Sequence, residues 1–316
     1  MDEYTRKTRL WLEERFARVD DEGIYFAHQP VYGFRKGHCD AGHISKYILT
    51  YRIMRALSHL HFDSLLDVGA AEGYKAHVAR TIFNINVESC DISKEACDRA
   101  REIFGIESTP ADIHELPFRD NEFDVVLCSE TLEHVTDPRK ALAELIRLAA
   151  KAILITVPHD PKSAVDMTVK EGTPHGHIQR FELDSFDFLE AEGHRVLSQR
   201  MFSRLLGIPV RYLELMPKEL GSSKGLPKIA TDIYNRVLPV TRIIFGKSAI
   251  ASLLELDDFV CRFAPVYHAM LFVILKDQTA WAKKPKSGVS ACDIMDILVP
   301  YYYLRQKGID GNKAKG

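Results

Sequence analysis

The sequence predicts an α/β protein, a largely parallel sheet with helices on both faces, preceded by N-terminal helices and interrupted before its last strand by a helical cap. Three observations predict this. From residue 64 onward, short apolar runs alternate with helically spaced segments, the pattern of strands joined by crossover helices. The first such run, Leu65-Leu66-Asp67-Val68, enters a glycine-bounded turn, Gly69-Ala70-Ala71-Glu72-Gly73, and Tyr74 to Phe83 continues at helical spacing, so the stretch reads as strand, tight turn, helix. Near the other end, Met270-Leu271-Phe272-Val273-Ile274-Leu275 is apolar throughout and reads as the closing strand.

In chain order, residues 4–19 set Leu10, Leu12, Phe16 and Val19 among charges at helical spacing, an amphipathic opening helix. Gly23 to His43 interleaves Tyr25, Phe26, Tyr32 and Phe34 with His28, His38 and His43 and is broken by Pro30, Gly33 and Gly37, an ordered aromatic loop. Ile44 to Leu60 carries Ile48, Leu49, Ile53 and Leu57 on one face, a second helix. Strands are predicted at 64–69, 86–91, 106–110, 123–129, 152–157, 195–201 and 268–276, with helices in the gaps. The stretch 203–267, rich in Leu, Ile and Pro, is too long for a plain crossover and reads as an inserted cap. The predicted division is a helical and lid segment 1–60, a ligand-binding core 61–202, a cap 203–267, a final core strand 268–277 and an extension 278–316 with a short helix around Ile294 to Leu304.

The 316 residues carry a formal net charge of −2, so there is no global field to draw in nucleic acid or an anionic membrane. Six cysteines form no C-x-x-C pair, and Cys90 and Cys128 fall inside predicted core strands, as free thiols in a reducing compartment would. With a charged start, Met1-Asp2-Glu3-Tyr4, and no apolar run longer than Ala269 to Leu275, the expected location is cytoplasmic.

The turn after the first strand is a place for a ligand. Gly69 lets the chain leave the strand, Gly73 lets the next helix start close by, and free N–H groups there would suit a polar or anionic group. The dinucleotide fingerprint G-x-G-x-x-G is not met, because Ala71 stands where its second glycine should be and Tyr74 where its third should be. Asp91 ends the second strand about twenty residues on, where an acid accepts both hydroxyl hydrogens of a ribose or caps the helix from Lys94. Ala111-Asp112-Ile113-His114-Glu115-Leu116-Pro117-Phe118 then leads into Phe123-Asp124-Val125-Val126-Leu127.

D-V-G-x-x-x-G at 67–73, the acid at 91 and the stretches from 111 and 123 resemble, in order and spacing, the motifs of the class I S-adenosylmethionine (SAM)-dependent methyltransferases. The resemblance covers residues 40–277 and implies a Rossmann-like seven-stranded sheet with an antiparallel last strand at 268–276. It implies SAM as cofactor, held by Asp67, Gly69, Ala70, Ala71, Gly73, Asp91, Ile92, Asp112, Ile113, Ser129 and Glu130, with Asp112 accepting from the adenine amine. Ala71 departs from the glycine pattern and bears on how close the backbone comes to the methionine end. The implied activity is methyl transfer to oxygen or nitrogen of a small or amphipathic acceptor. Two other readings stay open, a SAM-binding regulatory or assembly protein without transfer and a metal-dependent RNA 2′-O-methyltransferase.

Ser129-Glu130-Thr131-Leu132-Glu133-His134-Val135 carries the information about the acceptor, and three readings stand. On a helix, Glu130, Glu133 and His134 fall at i, i+3 and i+4 and would bind a divalent metal, completed by His159, His175 or His177, of which His177 is preferred. E-x-x-E-H here resembles the ubiquinone-pathway O-methyltransferases and the small-RNA 3′-terminal 2′-O-methyltransferases. Alternatively His134 is a general base without metal, or the stretch simply lines the methionine end. His38, Cys39, Asp40 and His43 match no metal spacing, while Tyr25, Tyr32 and Phe34 are either a lid over the cofactor or packing. The cap, with Phe202, Leu205, Leu206 and Ile208 among Arg204, Arg211, Arg236 and Arg242, encloses an apolar acceptor, forms a homodimer interface, touches a membrane surface or is a self-contained helical subdomain. Near-neutral charge disfavours nucleic acid.

Overall fold

The structure is a computed structural model of the chain; it describes residues 1–19, 25, 27–31, 43–203, 251–263 and 266–297, with single positions at 229, 232–233, 236–237 and 248. Helices α1 (Glu3–Phe16) and α2 (His43–Leu57) precede β1 (Ser64–Val68), α3 (Tyr74–Phe83), β2 (Asn86–Asp91), α4 (Lys94–Phe104), β3 (Glu107–Pro110), β4 (Phe123–Ser129), α5 (Pro138–Leu148), β5 (Ala149–Pro158), α6 (Lys162–Glu171), β6 (Arg195–Ser203) and β7 (Tyr267–Leu275). One sheet of seven strands runs in the order β3-β2-β1-β4-β5-β7-β6. Neighbours are parallel except that β7 is antiparallel to both β5 and β6. The order reverses between β1 and β4, so their carboxyl ends diverge into a crevice where open α/β sheets bind ligands.

Period-2 alternation assigns the two faces. Leu65, Val125, Leu127 and Leu154 point to the side covered by α2 and α3, while Leu66, Val126, Cys128 and Ile153 point to the side covered by α5. Helix α1 joins neither face but lies across the carboxyl edge, packing Leu12 and Phe16 on Ala71 and Ala96. Its Glu13 carboxylate accepts from the N–H groups of Lys94 and Glu95 at 2.7 and 2.9 Å, capping α4. Leu10, predicted to face inward, is 51% exposed; Thr5 and Thr8 take the buried stripe, because α1 covers a polar site rather than a core.

The predicted cap lies largely outside the described residues, as do Tyr32, Phe34, His38, Cys39 and Asp40. Its described end is helical over 251–261 and buries Ala251, Leu254 and Cys261. In the extension a short helix, Ala291–Asp296, is described, and the predicted continuation to Leu304 is outside that range. Among the described residues no helix is long and apolar enough to cross a membrane.

Candidate functional site

A cavity of about 420 Å³ opens at the carboxyl ends of β1, β2 and β4, beneath α1. Gly69, Ala71, Asp91, Ile92, Asp112, Ile113, Ser129, Glu130, Glu133, His134 and His177 all line it. Asp67, Ala70 and Gly73, predicted as contacts, do not; they hold the turn from behind. Asp67 is 1% exposed, and Gly73, at φ +77, brings α3 so near α4 that a Cβ there would sit 3.0 Å from that of Ala100. The N–H groups of the turn are not free either. Those of Gly69 and Ala70 both donate to Cys90 O, at 2.9 and 3.1 Å, and that of Gly73 to Ala70 O at 2.9 Å. The turn therefore shapes the cavity and is no anion nest.

Ala71 occupies the left-handed region at φ +51, where a Cβ is strained. Ala71→Gly relieves of order 1 kcal/mol of strain against about 0.4–1 kcal/mol of unfolded-chain entropy, so thermal denaturation should move little or upward. A marked loss of stability would mean that the Ala71 methyl packs rather than strains.

Asp91 is 7% exposed and receives one backbone N–H on each oxygen, Ser93 N on Oδ1 and Ala71 N on Oδ2, both at 2.9 Å. One lone pair on each oxygen stays available to a diol. Burial pushes its carboxyl up to about 6, against the pull of the Ser93 and Ala71 N–H groups. Burial also raises Asp67 to about 7, against the pull of Lys75. Both folded values exceed the unfolded one near 4, so this pair favours folding while protonated, and that contribution is lost as pH rises from about 4 to the folded values of about 6 and 7. Urea midpoints of the ligand-free protein should fall between about pH 4 and 7, and Asp67→Asn should flatten the fall.

Asp112 sits across the cavity, its Oδ1 accepting from His114 N at 3.0 Å and bonded to His114 Nδ1 at 2.6 Å. Ile92 and Ile113 supply apolar wall near the two acids. Lys75, 3% exposed and on the buried side of α3, also lines the cavity and was not predicted. The signal was there, since a lysine facing inward on a short helix after a ligand turn has to meet an acid. Tyr25, predicted as lid or packing, is absent from the lining and stacks under the Arg99 guanidinium at 3.6 Å.

The polar end of the cavity is built on Glu130 to His134. This stretch is not an α-helix: Glu130 is left-handed at φ +55, its N–H donates to Thr156 O at 2.8 Å, and only a 3-10 turn, Leu132–His134, follows. Glu130 thus leaves the predicted i, i+3, i+4 face and lies outside the ligand group, whereas Glu133, His134 and His177 bring one ligand atom each within 4.8 Å of one another. His134 Nδ1 is bonded to Gly176 O at 3.1 Å and His177 Nδ1 to Asp160 Oδ2 at 2.5 Å, which leaves the Nε2 atoms for a ligand. Glu133 is 1% exposed and neither carboxylate oxygen has a hydrogen-bond partner; Oε1 lies 3.7 Å from His134 Nε2. Its backbone carbonyl takes the N–H groups of Ile178 and Gln179 at 2.8 and 3.1 Å, stapling the histidine loop to the turn.

Burial, reinforced by His175 and His177, holds His134 well below the usual imidazole range, and burial brings His175 down to about 3. These rings are neutral at pH 7, as metal-ligating imidazoles must be. His175 packs on His134 at 3.8 Å between ring centres but does not belong to the ligand group, and His159 is turned away to Glu182 at 3.1 Å. Helix α1 closes over this end. Tyr4 Oη donates to Gly176 O at 3.0 Å, Thr8 Oγ1 accepts from His175 N at 3.1 Å, and Trp11 packs on His175 at 5.3 Å.

Residues 66–153 match a methyltransferase-domain family. An O-methyltransferase of Penicillium expansum is 30% identical over 107 residues, 32% of this chain and 39% of that protein. A norajmaline N-methyltransferase of Rauvolfia serpentina is 33% identical over 102 residues, 30% of this chain and 35% of that one. The chain thus matches well under half the length of these curated relatives. A solved SAM-dependent methyltransferase of Archaeoglobus fulgidus superposes with a TM-score of 0.44 at 17% identity, over 72% of this chain and 93% of that one. The matched stretch runs from the first strand into the fifth and includes the glycine turn, both acids and the turn carrying Glu133 and His134, so the chain carries a methyltransferase domain over residues 66–153.

Proposed function

We propose that the protein transfers the methyl group of SAM to an oxygen, or a nitrogen, of a small amphipathic acceptor, with a divalent cation at Glu133, His134 and His177. The observation that carries this reading is the presence of that ligand group in one cavity with Asp91 and Asp112. The residues fit the cofactor: Asp91 keeps a lone pair on each oxygen for the ribose hydroxyls, Asp112 can accept from an adenine amine, and Ile92 and Ile113 offer apolar wall for the ring. SAM, when bound, supplies an electrophilic methyl on a sulfonium. They fit a cation too, since two imidazoles with tied Nδ1 atoms and a buried carboxylate without a partner are a donor set that lacks only its charge. The cation would lower the pKa of an acceptor hydroxyl and orient its oxygen.

The chain's own contribution is positioning and exclusion of water. α1, held through Tyr4, Thr8 and Trp11, covers the polar end, so an acceptor bound there is shielded while its proton is lost. His134 acting alone as base is the weaker reading, because its surroundings depress its affinity for a proton. Leu12, Phe16, Leu49 and Phe202 line the rest of the cavity, which favours an acceptor that is apolar apart from its reacting end. The cap is proposed to close over that apolar part, and a homodimer through the cap is the competing use. The buried free thiols Cys90, Cys97 and Cys128 support a reducing, cytoplasmic location. An RNA acceptor fits poorly with a net charge of −2.

Calorimetric titration with S-adenosylhomocysteine, followed by diffraction from the soaked crystal at a metal absorption edge, tests both parts. The expected result is one bound nucleoside at Asp91 and one anomalous peak between Glu133, His134 and His177. Absence of binding would end the methyltransferase reading; binding without a peak in metal-supplemented crystals would end the cation reading alone.

A further inference from the structure

A second cavity, about 490 Å³, opens between α2, β6, residues 258–262 and Trp281, and none of its lining residues lines the first. The two lie along one helix: Ser45, Lys46 and Leu49 of α2 face the first cavity, and Arg52 and Arg55 of α2, with His59 just past its end, face the second. Four guanidinium groups line it, those of Arg52, Arg55, Arg200 and Arg262, and among the described residues Asp258 is the one carboxylate in the lining. Asp258 is shared three ways. Arg262 Nη2 donates to its Oδ2 at 2.9 Å, Arg55 Nη1 donates to the same oxygen, and Arg52 Nη1 lies 3.2 Å from Oδ1. The adjacent Asp257 is spent on the backbone, accepting from Phe202 N at 3.1 Å and Ser203 N at 2.8 Å.

Arg52 is the telling group. It is 3% exposed, and its Nη2 donates to Gln199 Oε1 and to Arg200 O, each at 3.1 Å. Its Nη1 has no hydrogen-bond partner and is left with ion-pair approaches, 3.2 Å to Asp258 Oδ1 and 3.9 Å to Asp257 Oδ2. A buried guanidinium nitrogen without an acceptor is costly, and such orphans point to a group that belongs there. The missing group is an anion, because two carboxylates, Asp258 and the more distant Asp257, do not neutralise four arginines. Beside them His59 and Trp281 stack at 4.8 Å and 10°, giving the cavity a flat aromatic wall.

We propose that this second cavity is a phosphate-binding site, taking inorganic phosphate or the phosphoryl group of a small aromatic ester. A tetrahedral dianion has enough oxygens to accept from Arg52 Nη1 and from the arginines at the rim at once, which a carboxylate does not. An ester would lay its apolar part against the His59–Trp281 wall.

The chain has two tryptophans, so Trp11→Phe leaves Trp281 as the sole emitter, in the wall of this cavity. Titration with inorganic phosphate, at ionic strength held constant with chloride, should change its emission saturably with half-saturation near or below about 1 mM. Arg200→Gln with Arg262→Gln, both at the rim, should weaken this tenfold or more, and saturating S-adenosylhomocysteine should not compete. Phenyl phosphate binding tenfold tighter than phosphate would identify an ester as the ligand, and equal affinity would identify free phosphate. Calorimetry on the unmodified protein covers the case of silent emission. No saturable binding by either method, binding unchanged in the double variant, or displacement by S-adenosylhomocysteine would each overturn the proposal.

Discussion

Asp91→Ala is expected to weaken S-adenosylhomocysteine binding at least about a hundredfold in a calorimetric titration. Two charge-assisted hydrogen bonds to the ribose are lost, each of order 1.5–3 kcal/mol, and a hundredfold corresponds to about 2.7 kcal/mol. The same change leaves the N–H groups of Ala71 and Ser93 without their acceptor, so the variant should also melt lower. The two effects separate, because binding can be measured well below the new midpoint. Asp112→Ala, which removes one acceptor already engaged with His114, should cost only about tenfold by the same reasoning. Unchanged affinity in Asp91→Ala would put the ribose elsewhere and leave the acid as an anchor for the two turns it now holds.

The sheet was legible because its strands are buried on both faces and so are written as apolar runs bounded by turn residues. β5 begins at Ala149, three residues before its predicted start, since α5 ends at Leu148 and passes into the strand with no loop to mark the change. Asp91 was marked by its spacing from the glycine turn and Asp112 by the family resemblance, and both line the cavity. The arrangement of the candidate ligand group Glu133, His134 and His177 was not legible. A helical reading put Glu130 with Glu133 and His134, but a long-range bond from Glu130 N to Thr156 O turns the chain left-handed there and removes it. The Nδ1 partners of His134 and His177, Gly176 O and Asp160, depend on how the 174–178 loop folds back on Glu133 O, which local pattern does not encode. For the same reason the turn's N–H groups looked free until β2 supplied Cys90 O to two of them. Leu10 misled because apolar spacing cannot announce that a helix covers a polar cavity.

Glu133→Gln is expected to separate stability from activity in opposite directions. In the metal-free protein the Glu133 side chain is 1% exposed, neither of its oxygens is hydrogen-bonded, and burial with the neighbouring Glu130 raises its carboxyl well above the usual range. Such a group opposes folding, and replacing it by a neutral amide of the same size should stabilise the metal-free protein by about 1–3 kcal/mol. That is on the order of 2–4 °C per kcal/mol in the denaturation midpoint for a domain of this class. Loaded with a cation the parent protein has the opposite balance, because the carboxylate becomes a ligand and binding adds its free energy to the folded state. Chelation should therefore lower the midpoint of the parent protein and abolish its turnover while leaving S-adenosylhomocysteine affinity nearly unchanged, since Asp91 and Asp112 are not among the ligands. Glu133→Gln should melt above the chelated parent, ignore chelator and turn over at most slowly. A variant that keeps full turnover in chelator would remove the cation from the reaction, and His134→Ala would then decide whether the imidazole alone takes the acceptor's proton.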